Sequence, residues 1–292
     1  MSAPSPTVRG VRRRRLAAEL RRLRERADLT GDDVADRLKW SASKISRIET
    51  AKTGAKISDV RKLLELYGVG ASHLDELIAL ARDAERKGWW EAYSDATGQE
   101  YAAFIGLEAE AEFAGQWENQ VIPGLFQTED YAREQTRAIQ SIITLPPGQV
   151  EARIEARLRR QEVLTRDEPL QLSVVLDEAA LVRKYGARAV MRAQLERVIE
   201  MAQLPNVTLR VLPLDGTHPI GVGSFIQLRF ERVYDVTFHD VVYVEQLTSS
   251  FYFEEELDTY RYTLAFDRLI AAALDPEASM ELVAQTKEKV WR

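Results

Sequence analysis

The stretch from Ala27 to Lys52, ADLTGDDVADRLKWSASKISRIETAK, leaves the chain few local options. Leu29, Val34, Ala35 and Leu38 recur at helical spacing, and Ile45 and Ile48 resume that spacing after a short break. The pattern predicts two short helices joined by a tight turn, a helix-turn-helix unit. Packing the apolar faces together leaves Ser41, Ser43, Lys44, Ser46 and Arg47 on the outer side of the second helix, free to enter a DNA major groove.

The helix ends point the same way. Thr30 can cap the first helix, and Asp33, three residues on, puts a carboxylate near its positive end in a variant of the capping box. Ser41 can cap the second helix, but Lys44 stands where an acidic residue is more usual. A cation in a first turn opposes the helix dipole. A phosphate nearby accounts for it; so does a solvated side chain.

Charge divides the chain in a way its overall pI of 5.4 conceals. In residues 1–70, Lys and Arg outnumber Asp and Glu 17 to 9; taken from the whole-chain 40 and 46, this leaves 23 against 37 for the remainder. A net of +8 followed by −14 is expected of a chain whose N-terminal part alone meets nucleic acid. With no cysteine, disulfides and thiolate metal sites are excluded. No apolar run reaches the ~20 residues that cross a bilayer, and the Arg-rich start lacks the apolar core of a signal peptide, so a cytoplasmic location without membrane contact is expected.

The 292 residues suffice for two domains. Residues 1–15 read as a disordered basic arm, with Arg12–Arg15 able to lie along phosphates or in a minor groove, or simply to be solvated. Residues 16–85 read as the all-α helix-turn-helix domain and 86–292 as a larger domain.

From Leu16 to Leu80 the chain resembles the Cro-like phage-repressor family, also called the xenobiotic-response-element family, which packs five short helices. The resemblance rests on LAAELRRLRERA, the L-T start of the second helix, S-x-S-K-I-S-R-I-E, ISDVRKLLELYGV and SHLDELIALARDAER. It implies base reading by Ala42, Ser43 and Arg47, with Lys44 and Ser46 beside the DNA backbone. The residues expected to face DNA are Thr30, Gly31, Ser41, Ala42, Ser43, Lys44, Ser46, Arg47 and Lys52. The family's buried ion pair between the first and third helices falls on Arg24 and Glu49. The chain departs from the family pattern at two places. Gly31 stands where a Gln often meets a phosphate and offers only its N–H. Lys39-Trp40 occupies a turn that often holds Gly, which puts a left-handed conformation on Lys39.

Arg47 is the strongest candidate reader, because a guanidinium can pair bidentately with guanine O6 and N7, worth about 1–3 kcal/mol of discrimination. The plainer alternative is a phosphate or surface contact. Ser43 is a weaker reader, and Ala42 can only touch a thymine methyl.

Beyond about Lys87 helical periodicity runs through Gln99–Asn119, Thr128–Gln140 and Pro147–Thr165. Strand-like segments follow at 170–176, 207–213, 225–230, 241–247 and 250–253, with helices at Glu178–Lys184 and Ala187–Ala202 between the first two. Helices at about 254–273 and 276–290 close the chain. Helices followed by short-linked strands predict an α+β domain with a mostly antiparallel sheet, since 213–224 and 231–240 are short connections.

The phrases IGLEAEA, VIPGLFQTEDYAR, RQEVLTRDEPLQLSVVLDEAAL, MRAQLERVIEMAQLPNVTLRVLP, VVYVEQLTSS and YTLAFDRLIAAALDPEASMEL look like the effector domain of the WhiJ-like actinobacterial regulators. Members of that group are often described as antitoxin-like, because a small companion protein tends to be encoded beside them. The resemblance implies an effector or partner-binding role and leaves the ligand open.

Three functions are compared on these grounds. The first is a sequence-specific homodimeric transcription regulator that binds an inverted-repeat operator in double-stranded DNA and senses a protein partner or small-molecule effector. The second is an antitoxin-like protein whose main role is binding a small companion. The third, an enzyme with a DNA-targeting head, has least support. His73, His218 and His239 are scattered, with no H-x-x-x-H spacing and no Walker-type loop, and Gly221-x-Gly223 precedes a strand rather than joining a strand to a helix. No catalytic residue, metal or cofactor is therefore expected. The Val121–Thr128 element reads as a loop that plugs the core in preference to a binding loop, and Asp177-Glu178 as a helix cap in preference to a carboxylate site. Tyr243, Phe251, Tyr252 and Phe253 read as core aromatics, with a pocket lining as the alternative.

Overall fold

A computed structural model describes residues 11–85, 88–140, 142, 145–231 and 239–292. The described residues form two compact units, with the chain divided between them near residue 91.

The first unit is all helix: α1 (Val11–Arg26), α2 (Gly31–Leu38), α3 (Ala42–Glu49), α4 (Ile57–Leu66) and α5 (Ala71–Glu85). Each contributes an apolar stripe to one core. Leu16, Leu20 and Leu23 of α1 meet Val34 and Ala35 of α2, Ile45 and Ile48 of α3, Val60, Leu63 and Leu64 of α4, and Leu77, Ile78 and Ala81 of α5. The paired apolar positions that predict the helix-turn-helix thus pack in or against its core, and burial of each of the fully buried Leu, Val and Ile side chains stabilises by roughly 1.5–3 kcal/mol. Residues 11–15, expected within a disordered arm, form the first turn of α1; residues 1–10 of that arm lie outside the described residues.

The second unit wraps helices around one six-stranded sheet. In chain order it contains α6 (Ser94–Thr97), α7 (Gln99–Glu110), β1 (Phe113–Glu118), α8 (Glu129–Gln140), α9 (Pro147–Arg160), β2 (Gln171–Asp177), α10 (Glu178–Val182), α11 (Arg188–Met201), β3 (Val207–Leu212), β4 (Phe225–Arg229), β5 (Val241–Glu245), β6 (Ser250–Phe253), α12 (Glu256–Ala272) and α13 (Pro276–Val290). The strand order is β3-β2-β1-β4-β5-β6. β1, β2 and β3 are parallel, with helices in both crossovers, while β1–β4, β4–β5 and β5–β6 are antiparallel. The sheet is mostly antiparallel and the domain α+β.

Two details correct the reading from sequence. Residues 113–118, expected inside a helix running to Asn119, are the central strand β1, with parallel β2 on one side and antiparallel β4 on the other. The short 213–224 connection does not make β3 and β4 neighbours: β2 and β1 lie between them. Three strand spacings of about 4.8 Å leave that crossing well within the reach of a dozen residues.

On one face of the sheet Trp117, Val175, Phe225 and Val242 pack against Phe266 and Leu269 of α12. Gly115 permits this approach, since a Cβ there would stand 2.9 Å from both the Gln227 side chain and the Phe266 ring. On the second unit's other side a charge is buried: Arg160 of α9 forms a two-pronged pair with Glu108 of α7 and donates to the Tyr101 hydroxyl at 2.8 Å. Burial raises the Glu108 pKa against the opposing pull of Arg160. A pair so buried contributes little net stability, but losing one partner strands the other.

Candidate nucleic-acid interface

Thr30 and Asp33 close a capping box at the start of α2. The Asp33 N–H donates to Thr30 Oγ1 at 3.1 Å, and the Thr30 N–H donates to the Asp33 carboxylate at 2.8 Å. The Thr30 hydroxyl and backbone bonds hold the Asp33 carboxyl below its ordinary pKa. Gly31 follows as the first helical residue, and its N–H belongs to the terminal set that has no acceptor within the helix.

The turn between α2 and α3 depends on an uncommon backbone. Lys39 takes φ 56° and ψ 43°, the left-handed region, and the next N–H, that of Trp40, reaches back to Ala35 O at 2.8 Å. A non-glycine residue there costs on the order of 1 kcal/mol, and the closed turn fixes the angle at which α3 leaves. Ser41 then caps α3, accepting from the Lys44 N–H at 3.2 Å.

α3 is held from behind. Ile45 and Ile48 are buried, and Glu49 accepts from Arg24 Nε at 2.8 Å and Nη2 at 2.9 Å. Arg24 Nη1 also donates to Leu29 O at 2.8 Å, so one guanidinium ties α1, the start of α2 and the end of α3 together. The Glu49 hydrogen bonds raise the Arg24 pKa, against a lowering by burial.

The opposite side of the helix pair is polar and open. Thr30, Ser41, Ala42, Ser43, Ser46, Arg47 and Lys52 are exposed, and Gly31 and Lys44 are half-buried. Gly31, Ala42 and Ser46 line one groove of about 350 Å³ together with Arg21, Asp32 and Thr50. Arg47 lies one turn beyond Ser43, and its side chain has no hydrogen bond or ion pair among the described residues. Lys52 sits past the helix end, where Ala51 turns the chain with φ 54°.

Lys44, for which a nearby phosphate and a solvated side chain both account in the sequence, has partners within the protein. Its Nζ is 2.9 Å from the Asp59 carboxylate in the first turn of α4 and 3.6 Å from the centre of the Trp40 ring. The charge that opposes the α3 dipole is therefore compensated within the protein. Asp59 and Trp40 were not among the site residues read from sequence. Trp40 sits in a recognised turn, but nothing local marks Asp59 as a partner for a lysine on another helix.

In the second unit the Val121–Thr128 element is core. Ile122, Leu125 and Phe126 are fully buried, and Gln194 bonds both Phe126 O and the Thr128 N–H, at 2.7 and 2.8 Å. Asp177 caps α10 by accepting from the Ala179 N–H at 2.8 Å. Tyr243 stacks on Phe104 with ring centres 4.2 Å apart, and Phe253 packs on Tyr262, whereas Phe251 is exposed. Among the described residues no group of three or more His, Asp or Glu is placed to hold a metal, and no helix is long and apolar enough to cross a membrane.

Residues 15–77 match the model of a helix-turn-helix domain family, which makes the first unit the DNA-binding module of a regulator. Residues 101–285 match the model of a domain of unknown function, DUF5753. Neither the curated proteins nor the solved structures contain a match to the chain.

Proposed function

The chain belongs to the DUF5753 family, and from that premise we propose that it is a sequence-specific transcription regulator of the xenobiotic-response-element kind, acting as a homodimer on an inverted-repeat operator. The observation that carries the reading is the state of α3. It is capped by Ser41, pinned from behind through Arg24 and Glu49, and presents an unengaged Arg47 beside Ser43 on its open side. A rigid helix with a guanidinium free to reach base edges is what major-groove reading requires.

Thr30, Gly31, Ser46 and Lys52 then position the head on phosphates, which set register without carrying sequence. Ala42, Ser43 and Arg47 read the bases. Two heads related by a dyad place their α3 helices about 34 Å apart, one turn of DNA. The second unit acts as an effector domain of the WhiJ-like kind, binding a small companion protein or a small ligand. Whatever binds it and alters the dimer alters operator affinity by reciprocal linkage. No catalytic role is assigned to it.

Selection of random duplex DNA by the full chain at physiological salt tests this. Enrichment of an inverted repeat with half-site centres about 10 base pairs apart is expected. Recovery of no preferred sequence overturns the reading.

A further inference from the structure

Arg153, Arg157 and Arg160 follow one another along a single face of α9, at steps of four and three residues. Arg160 is matched by Glu108. Its two neighbours have no such match. Arg153 and Arg157 are half-buried, and no carboxylate forms an ion pair with either among the described residues. Arg153 donates from Nε to Ala96 O at 2.6 Å, and Arg157 donates from Nη1 to Gln127 Oε1 at 2.9 Å and to Gln135 Oε1 at 2.5 Å. Their remaining nitrogens make no hydrogen bond among the described residues.

The amides that hold Arg157 are themselves fixed. Gln127 is buried, and its Nε2 donates to Ile122 O at 2.7 Å and to Gln135 Oε1 at 3.1 Å, which leaves its own oxygen for the guanidinium. Neutral acceptors thus orient the cation without cancelling its charge. Burial, and then the charge of Arg157, lower the Arg153 pKa, while Glu245 and Tyr101 oppose this. Two like charges a helical turn apart, partly withdrawn from water and unneutralised, cost the free protein energy that a bound anion removes.

Topology gives the pair its place. From β1 the chain runs to β2 and β3 on one side and then to β4, β5 and β6 on the other, so its connections part at β1. Sheets with parallel strands seat ligands at carboxyl ends where connections part. Gln127 lies in the segment that leaves the carboxyl end of β1, and Glu245, whose charge acts on Arg153, ends β5, which runs parallel to β1. Glu118 ends β1 on the same face of the sheet as Glu245. The buried Tyr131 hydroxyl feels the charges of both Glu118 and Arg157, which brings that strand end and α9 together. Neither Glu118 nor Glu245 pairs with Arg153 or Arg157 among the described residues.

We propose that Arg153 and Arg157 are a ligand site of the second unit, taking the carboxylate or phosphate group of a small molecule. The inference rests on the small-ligand form of the reading above and names the chemistry that holds the ligand. Nε and Nη2 of Arg157 and both Nη of Arg153 supply the donors, a set suited to an oxyanion. A recessed pair suits a small molecule, since Gln127 and Tyr131 beside it are fully buried.

Calorimetry of the full chain with inorganic phosphate or with succinate tests it, following the melting of the second unit against sodium chloride of equal ionic strength. At about ten times its dissociation constant, a bound anion raises that melting temperature by about 3–5 °C. Arg153→Gln and Arg157→Gln are each expected to weaken probe binding at least about tenfold, Arg157→Lys to weaken it less, and Arg188→Gln, at an exposed arginine of α11, to leave it unchanged. An increment from phosphate alone assigns a phosphorylated ligand, and one from succinate alone a carboxylic acid. If the two glutamine variants melt earlier but keep the anion's increment, the arginines serve packing only and the site is overturned. An absence of increment with either probe overturns it too, and leaves a companion protein as the effector. An increment in wild type with operator affinity unmoved by the probe leaves the site standing and overturns its effector role.

Discussion

The ammonium of Lys44 lies 2.9 Å from the carboxylate of Asp59, tying the first turn of α3 to the first turn of α4. The pair is partly exposed, at 34% and 16% of the two side chains, so its contribution to stability is small, up to about 1 kcal/mol. Its larger consequence is for DNA. Asp59 neutralises a cation in the first turn of α3, so Asp59→Asn frees that charge for a phosphate. The variant is expected to bind random duplex more tightly and to steepen the dependence of binding on salt by up to one phosphate's share. Titrations at several salt concentrations check this; an unchanged slope shows that Lys44 stays on Trp40 and does not reach the backbone.

Arg47 is expected to behave differently. Its loss removes base reading and leaves phosphate contacts in place, so Arg47→Ala should lose about 1–3 kcal/mol of preference for operator over random DNA. Competition binding of the two DNAs to wild type and variant measures the difference. Equal preference in both proteins reassigns Arg47 to the phosphates.

The Arg24–Glu49 pair makes a prediction about stability alone. The two side chains are only 13% and 9% exposed, and Arg24 also holds Leu29 O. Arg24→Ala leaves the Glu49 carboxylate half-buried without its two donors, at a cost of up to about 3–5 kcal/mol to the first unit. Replacing both residues together should cost less than the sum of the single changes. Calorimetry of the full chain should show the first unit melting earlier while the second is unmoved.

How far the sequence revealed these features depended on how local their causes were. α2 and α3 were legible because caps, turn and apolar spacing all lie within Ala27–Lys52, and the same residues form the core. β1 was hidden because FAGQWE contains no β-branched residue and follows an Ala- and Glu-rich helix; its strand state comes from pairing with β2 and β4, far away in sequence. The Arg160–Glu108 pair, 52 residues apart, and the Asp59 partner of Lys44 escaped for the same reason. Local rules place a charge on a helix face, but tertiary packing decides which charge it meets.

Glu118, at the end of β1, couples the second unit to pH. Burial is the main cause that raises its pKa to about 7, and Glu245 adds to the rise; hydrogen bonds from Gln116 and Ser224, and the charge of Arg160, oppose it. The Gln116 amide donates to the carboxylate at 2.8 Å but does not offset the lost hydration. The native state therefore holds this proton more tightly than the unfolded chain, whose carboxyl titrates near 4.5. The resulting stabilisation is present in full below about pH 4.5, declines as the unfolded chain ionises and the native one does not, and is gone above about pH 7. Its size is at most about 3 kcal/mol. Glu118→Gln removes the titration while keeping the shape, so denaturant unfolding across pH 5 to 8 should show wild type losing stability relative to the variant as pH rises. Parallel curves for the two proteins would place the Glu118 carboxyl at its ordinary pKa, and the burial at the end of β1 would then be too wet to hold a proton.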